Sequence, residues 1–188
     1  MSMVPLTVYD PVAKERMNIR MRWGFPHPKN PRIPQPIHAR CETIDEKPTF
    51  KAAFLDGQRG VLFVRSFNEG REITPTKTEQ HTVTPNDGQP LAIACLWRRF
   101  ELEPPLLAFV MVTTPPNKLI STITDRMPAV LKSEDISKWL GEEPATVDEL
   151  KEMLVTREGE WTMGPEPTAN PKPRPKKSRD PEAPPGLF

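Results

Sequence analysis

The chain has 188 residues, which suits one domain or one domain with a tail, and 36% of them are hydrophobic. Its 26 lysines and arginines nearly balance 25 acidic residues, which gives a net charge of +1. The overall charge therefore gives no evidence for binding to nucleic acid. No apolar stretch reaches the ~18 residues of a membrane span, and the start lacks a signal-peptide pattern, so we expect a cytoplasmic protein that contacts no membrane.

The first half of the chain predicts two strands and one helix. Apolar and polar residues alternate over residues 17–23, which is typical of a half-buried strand. After a proline-rich connection, residues 47–54 favour a short helix with Pro48 in its first turn. An apolar, β-branched run at residues 60–64 predicts the next strand, which runs into a polar loop.

The middle of the chain predicts three more strands. A weak strand pattern covers residues 82–84, and stronger apolar runs cover residues 91–97 and 107–113. The turn signal Asn-Asp-Gly at residues 86–88 separates the first two of these runs. It therefore predicts a hairpin.

Two late helices have recognisable ends. Ser133 is expected to cap a helix that runs to about Leu140 and ends at Gly141. Thr146 and Glu149 form a capping-box pattern, which opens a second helix to about residue 155. With the strands, these helices predict an antiparallel α+β domain that is mainly β.

The composition changes at Gly164. The last 25 residues hold eight prolines, five basic residues and almost nothing to bury. This pattern predicts a domain over residues 1–163 and a disordered, proline-rich tail over residues 164–188. The basic residues of the tail are Lys172, Arg174, Lys176, Lys177 and Arg179.

Several kinds of site are not expected from the spacing of residues. The three histidines, His27, His38 and His81, have no partner at metal-ligand spacing, so no metal site is expected. The chain has no glycine-rich phosphate loop and no G-x-S-x-G motif, so no nucleotide or other cofactor is expected. Cys41 and Cys95 lack a C-x-x-C partner and are expected to be buried free thiols.

Three polar segments remain as candidate sites: residues 38–43, 60–70 and 123–128. Each also fits a structural role when it is considered alone. Arg40 would then pair with a neighbouring acid, and Glu69 would be a solvated carboxylate in a loop. The residue types leave both interpretations open.

The three segments occur in the order and spacing of one protein family. The comparison rests on five short motifs: WG at 23–24, HARCET at 38–43, KPTF at 47–50, SFNEG at 66–70 and TDRMPAVL at 124–131. They are similar, in turn, to Trp-Gly, Asn-Ala-Arg-x-Glu-Thr, Lys-Pro-x-Phe, Gly-Phe-x-Glu-Trp and His-Asp-Arg-Met-Pro-Val-Ile-Leu. The chain thus resembles the SOS-response-associated peptidases, also called abasic-site processing proteins.

The resemblance implies a β-barrel-type core of antiparallel strands with short peripheral helices. It also implies binding of single-stranded DNA in the DNA-damage response and covalent capture of abasic sites. In that family reaction, an N-terminal cysteine closes a thiazolidine ring on the sugar aldehyde, and the family also has peptidase and lyase-like activity.

The resemblance assigns roles to seven positions of this chain. The catalytic positions are Glu69, Thr124 (where the family has His) and His38 (where the family has Asn). The DNA-binding positions are Trp23, Arg40, Phe67 and Arg126. A wider groove for one DNA strand is predicted from the arginines Arg20, Arg22, Arg40, Arg59, Arg65 and Arg126.

The chain departs from the family pattern at its reactive positions. It opens Met-Ser-Met where the family has Met-Cys-Gly-Arg, so we expect a divergent member whose N-terminal part is shortened. His38 and Thr124 replace the reactive Asn and His, and Gly70 replaces a tryptophan. The hypothesis is a bacterial monomer, nucleoid-associated when DNA-bound, that binds single-stranded DNA and has lost the cross-linking reaction.

Two other interpretations remain at the level of sequence. One is a non-catalytic interaction protein whose tail docks into a partner through PKPRP at residues 171–175. The other is a fragment of a gene with a misassigned start.

Overall fold

The molecule is built mainly from strands, and the structure, a computed structural model, describes residues 3–74 and 76–165. The strands are β1 (Met3–Asp10), β2 (Glu15–Trp23), β3 (Pro26–His27), β4 (Asn30–Pro34), β5 (His38–Arg40), β6 (Arg59–Val64), β7 (Phe67–Thr74), β8 (Lys77–Pro85), β9 (Leu91–Phe100), β10 (Leu106–Thr114), β11 (Met127–Pro128), β12 (Val130–Leu131) and β13 (Trp161–Pro165). The helices are α1 (Pro48–Leu55), α2 (Ile136–Leu140) and α3 (Val147–Glu152).

Five of these strands close into a ring, in the order β10-β2-β1-β6-β9 and back to β10. All pairs in the ring are antiparallel except β10 with β2, which is parallel. Gly60 allows β6 to approach β1, because a Cβ atom there would lie 2.7 Å from a methyl carbon of Leu6. The predicted mainly β, barrel-type core is confirmed.

Two apolar clusters lie on the two faces of this ring, as the alternation of side chains along a strand requires. The interior cluster includes Leu6, Met21, Ile93, Cys95 and Phe109. The outer cluster joins the intervening strand residues to the helices, and it includes Ala94, Leu96, Val110, Phe54 and Trp139. Four of the predicted strands, matching β2, β6, β9 and β10, thus form most of the barrel.

A separate sheet of three strands, in the order β13-β8-β7, covers the interior cluster. The predicted hairpin across residues 86–88 is wrong, because β8 pairs with β7 and β13 while β9 pairs with strands of the barrel. The prediction of a polar loop around Glu69 is wrong for a related reason. Residues 67–74 pair with β8, so Glu69 lies in a strand.

The helices follow their predicted end signals closely. Pro48 begins α1, Gly141 ends α2 with a left-handed φ of 86°, and Thr146 forms the predicted capping box with Glu149. Ser133 does not cap a helix with its side chain, because it begins a short 3-10 turn that precedes α2. None of the helices in the described ranges is long and apolar enough to cross a membrane.

The two ends of the domain hold strands that the sequence pattern did not predict. Strand β1 pairs with β2 along its whole length, from Met3 opposite Arg22 to Asp10 opposite Glu15. Strand β13 continues to Pro165, two residues beyond the predicted boundary at 163. The rest of the predicted tail lies outside the described residues.

Two arginines of the predicted DNA groove are structural instead. Arg22 is 2% exposed and donates hydrogen bonds to the carbonyls of Gly24 (3.1 Å) and Pro31 (2.8 Å). Arg59 is 9% exposed and donates to the carbonyls of Trp139 and Phe54. Burial lowers the pKa of both guanidinium groups. Neither side chain can therefore line a solvent-facing groove.

Replacing Arg59 with methionine is expected to destabilise the domain. The change removes donors at 2.6 Å and 2.8 Å from two carbonyl oxygens and a cation–π contact with Trp139. We expect a loss of about 2–4 kcal/mol in the free energy of unfolding, measured by urea denaturation. The exposed Arg65→Met is the control and should change stability by less than about 0.5 kcal/mol. Equal effects of the two changes would contradict this role.

Candidate functional site

Strand β10 gathers the candidate segments at its carboxyl-terminal end. Strand β5 runs parallel to it, with Arg40 opposite Thr113, and β11 runs antiparallel, with Pro128 opposite the same threonine. Because Thr113 pairs with both, β5 and β11 flank β10 on opposite edges. The motif at residues 38–43 and the loop before β11 therefore lie on either side of the carboxyl-terminal end of β10.

A partly buried guanidinium joins these two segments. Arg126 forms a bidentate ion pair with Glu42, at 2.7 Å and 2.9 Å, across 84 residues of sequence. The same side chain donates to the Thr113 carbonyl at 2.7 Å and to its hydroxyl at 3.3 Å. The hydrogen bonds from Arg126 lower the pKa of Glu42 to about 2. Arg126 is thus occupied by protein partners, although the resemblance assigned it to DNA.

The thiols of this chain are poorly activated. Cys41, beside the Glu42–Arg126 pair, has a raised pKa because it is partly buried and next to a carboxylate. Cys95 is fully buried in the interior, and burial raises its pKa further. A thiolate is the reactive form of cysteine, so neither of these two is an activated nucleophile. Both are free, as predicted, although Cys41 is only partly buried.

Trp23 and His38 form an exposed aromatic pair at the other end of β5. Their ring centroids are 5.9 Å apart at an interplanar angle of 46°. The indole nitrogen of Trp23 donates to the Ile37 carbonyl at 3.0 Å, which fixes the ring while 40% of the residue stays exposed. His38 is exposed over part of its surface, and desolvation of the remainder lowers its pKa.

Arg40 lies two residues beyond His38 on the same strand, and it is exposed. Side chains two residues apart on a strand point to the same face, so Arg40 projects on the side of the Trp23–His38 pair. The alternative in which Arg40 pairs with a neighbouring acid is not observed. Glu42 binds Arg126 and Asp45 binds Lys151, and Arg40 has no ion pair within residues 3–74 and 76–165.

Glu69 lies near the loop before β11, which carries Thr124 and Asp125. Burial, together with the negative charge of Asp125, raises the pKa of Glu69 to about 7. Thr124, the residue before Asp125, is half-buried and donates its backbone N–H to the Ile120 carbonyl. Glu69 is therefore brought to the loop that also carries Arg126.

Phe67 is placed differently from the prediction. Its ring packs against the interior cluster and meets Trp161 edge-on, with centroids 6.2 Å apart. This contact favours a core role for Phe67 over stacking on a base. At Gly70, a Cβ atom would lie 2.6 Å from a methyl carbon of Thr78 on β8, so any larger residue there would require Thr78 to shift.

Sequence reasoning missed two features of the site. The Glu42–Arg126 pair was not predicted, because only the fold brings the two residues together. His81 was named only as an isolated histidine, yet it lies directly opposite Glu69 on β8. Alternation along residues 77–85 would have placed it on the same face as the buried Val83.

No group of three or more His, Cys, Asp or Glu residues that could hold a metal ion occurs in the described part of the chain.

A family model decides which proteins this chain is related to. The model for the SOS response associated peptidase (SRAP) family matches residues 2–166. The chain belongs to this family.

Related members of the SRAP family cover most of the domain. The chain is 30% identical over 155 residues to the abasic site processing protein YobE of Bacillus subtilis, a match over 80% of this chain and 70% of that protein. It is 29% identical over 154 residues to YoqW of the same organism, over 79% and 68%. To the abasic site processing protein HMCES of Xenopus tropicalis it is 29% identical over 173 residues, over 76% and 50%.

Solved structures share the fold of this SRAP domain. A protein from Bacteroides thetaiotaomicron superposes with a TM-score of 0.72 at 19% identity, covering 89% of this chain and 75% of that one. A protein from Bordetella bronchiseptica gives a TM-score of 0.73 at 21% identity, covering 88% and 84%. At these identities the likeness concerns the fold alone.

Proposed function

We propose that this SRAP domain binds single-stranded DNA, including strands that carry an abasic site, and does not form a stable covalent link with it. The family membership and the names of the relatives support DNA with abasic sites as the ligand. Under this proposal the protein acts as a monomer in the cytoplasm, on damaged DNA of the nucleoid.

The observation that carries the proposal is the exposed Arg40 beside the Trp23–His38 pair. A guanidinium with no ion pair in the described part of the chain can donate two parallel hydrogen bonds to a phosphate. An exposed indole held by a backbone hydrogen bond is a rigid platform for an unpaired base. A phosphate contact next to a stacking surface is the arrangement that binds a single strand.

The loss of cross-linking is proposed from the residues that surround this surface. His38 and Thr124 stand where the family pattern has Asn and His. The thiols of Cys41 and Cys95 both have raised pKa values. Of the three catalytic positions, only Glu69 keeps the family's residue type, and one carboxyl group without a thiolate cannot close a thiazolidine ring.

Replacing Arg40 with alanine is expected to weaken DNA binding. The loss of one phosphate contact should reduce affinity by about 1.5 kcal/mol, roughly tenfold. It should also lower the salt slope by about 0.7, the value for one phosphate of a single strand. The measurement is fluorescence anisotropy with a labelled single strand, with and without one abasic site, at several salt concentrations.

Arg99→Ala is the matched control. Arg99 is also an exposed arginine on a strand, but it pairs with Glu101 at 2.8 Å and lies at the far end of β9. Its loss should leave the affinity and the salt slope close to those of the unmodified chain. Equal weakening by the two changes, or a stronger affinity for duplex than for single-stranded DNA, would contradict the proposal.

A further inference from the structure

An open groove lies on the outer face of the barrel, where β6, β9 and β12 adjoin. Phe63 on β6 lies opposite Ala92 on β9, and Ala92 lies opposite Leu131 on β12, so the three side chains form one row. Ile136 at the start of α2 and Val155 after α3 extend this apolar lining. The groove has a volume of about 550 Å³.

Two large apolar side chains of the groove are open to solvent. Phe63 is 47% exposed and Val155 is 51% exposed, and both line the groove. The Thr156 hydroxyl donates to the Pro115 carbonyl at 2.8 Å, which holds the segment that carries Val155 in place. Exposed apolar side chains that adjoin on a fixed surface are typical of a binding site.

An acidic pocket adjoins the groove. Arg157 and Glu158 line both, and the pocket, of about 250 Å³, is also lined by Asp87, Glu160 and Trp161. Arg157 binds Asp87 at 2.6 Å, and its guanidinium lies 5.8 Å from the centroid of the Trp161 ring. Glu158 and Glu160 are exposed, and neither has an ion pair within the two described ranges. The pocket therefore carries two uncompensated negative charges.

These two adjoining surfaces define the chemistry of a ligand. Proline-rich segments bind to apolar grooves that contain an aromatic side chain, and Phe63 supplies one here. Basic side chains are attracted to uncompensated carboxylates. Lys132 lines the groove but not the pocket, so the positive charges of a ligand belong in the pocket. The surface fits a segment that combines prolines with basic residues.

The chain itself contains such a segment. Residues 171–177 read PKPRPKK and lie outside the described residues. Strand β13 runs from Trp161, in the acidic pocket, to Pro165, a length of about 14 Å. The stretch from Pro165 to Pro171 can span up to about 20 Å, so it can bring the segment back to this pocket. A short tether also gives an effective concentration that is roughly millimolar, so weak contacts are sufficient for binding.

We propose that residues 171–177 bind to this surface of their own chain. The prolines pack against Phe63 and Val155, and the basic side chains pair with Glu158 and Glu160. The tether favours this occupant over a segment of the same chemistry from another protein, because a free partner lacks the high effective concentration. The contact involves no DNA and is independent of the proposed function.

The first test compares amide NMR spectra of the full chain with those of a variant of the segment. This variant combines Lys172→Ser, Arg174→Ser, Lys176→Ser and Lys177→Ser. Asp180→Ser combined with Glu182→Ser is the control, and all six changes lie outside the described domain. The amide signals of residues 155–160 should shift in the first variant and stay in place in the control. Unchanged signals in the first variant would overturn the proposal.

The second test uses a carbodiimide, which couples a carboxylate to a lysine only where the two are in contact. Equal amounts of ¹⁵N-labelled and unlabelled full chain are mixed, and the cross-linked peptides are identified by mass spectrometry. The lysines of residues 171–177 should couple to Glu158 and Glu160 within single copies. Coupling between labelled and unlabelled copies would show that a second copy is the occupant. That result, or equal coupling to the exposed Glu15 and Glu72, would overturn the proposal.

A pair of matched variants tests the groove itself in the same cross-linking experiment. Phe63→Ser should lower the yield of these cross-links by roughly fivefold, because the prolines lose an apolar contact. Ile73→Ser is the control, since Ile73 is 45% exposed on β7 and does not line the groove. Equal yields from the two variants would contradict a role for the groove.

Discussion

Replacing Glu69 with glutamine is expected to stabilise the domain above neutral pH. Glutamine keeps the shape and polarity of the protonated acid but cannot ionise at this partly buried position. Relative to the unmodified chain, we expect a gain of about 2–3 kcal/mol in the free energy of unfolding at pH 8. The measurement is urea denaturation of both proteins from pH 4 to pH 8.

The direction of this effect follows from the raised pKa. The pKa of Glu69 rises from 4.5 to about 7 in the folded protein, mainly because burial penalises the carboxylate. Below about pH 4.5 the group is protonated in both the folded and the unfolded state. As the pH rises towards 7, the unfolded state releases its proton first, so folding becomes less favourable. The glutamine variant lacks this loss.

Glu72→Gln is the matched control, since Glu72 is an exposed acid on the same strand. Because its side chain is exposed, this variant should differ from the unmodified chain at pH 8 by less than about 0.5 kcal/mol. An equally small difference for Glu69→Gln at pH 8 would show that Glu69 ionises as an ordinary solvated carboxylate. That result would contradict the partial burial of Glu69.

Replacing Arg126 with methionine is expected to give the largest loss of stability at the site. The change removes the hydrogen bond from Arg126 to the buried Thr113 carbonyl and the ion pair with Glu42. These two contacts join the loop before β11 to β10 and to the segment that follows β5. We expect a loss of about 2–3 kcal/mol, which lowers Tm by roughly 5–10 °C. Thermal unfolding followed by circular dichroism measures the effect.

A double-mutant cycle with Glu42→Gln separates the two contacts of Arg126. The Glu42 side chain is 46% exposed, so solvent screens the pair and its coupling should be only about 1 kcal/mol. Most of the loss should then come from the Thr113 carbonyl and should persist when Glu42 is already glutamine. A loss from Arg126→Met that disappears in the Glu42→Gln background would contradict this division.

The sequence predicted those elements whose signals are local. The runs at residues 60–64, 91–97 and 107–113 became barrel strands, because most of their apolar side chains join the two clusters on the faces of the ring. The capping box at Thr146 was confirmed because its two hydrogen bonds depend only on residues three apart.

Elements that depend on distant pairing were not predicted. Strand β7 is mostly exposed and lacks a clean alternation of apolar residues, so only its pairing with β8 shows that it is a strand. The turn at residues 86–88 suggested a hairpin, but hydrogen bonding to β6 and β10 places β9 in the barrel. A local turn signal cannot specify which sheet the following strand joins.

In the candidate site, too, features that depend on distant contacts could not be predicted from the sequence. Alternation along β2 placed Arg22 on a polar face, but the barrel buries it against the backbone carbonyls of Gly24 and Pro31. Arg40 keeps the exposed position that the groove hypothesis needs, whereas Arg126 is bound to Glu42 from a segment 84 residues away. Residue type alone could not separate these three arginines.

The most direct test of the central claim is one denaturing gel. The purified chain is incubated with single-stranded DNA that carries one abasic site and with an intact strand, each with and without borohydride. A native gel of the same samples reports non-covalent binding. We expect a salt-sensitive shift of both DNAs on the native gel and no band that survives boiling in detergent without borohydride. A boiling-stable adduct formed with the abasic strand alone would show that the chain cross-links DNA, and it would contradict the account of a binding protein without covalent capture.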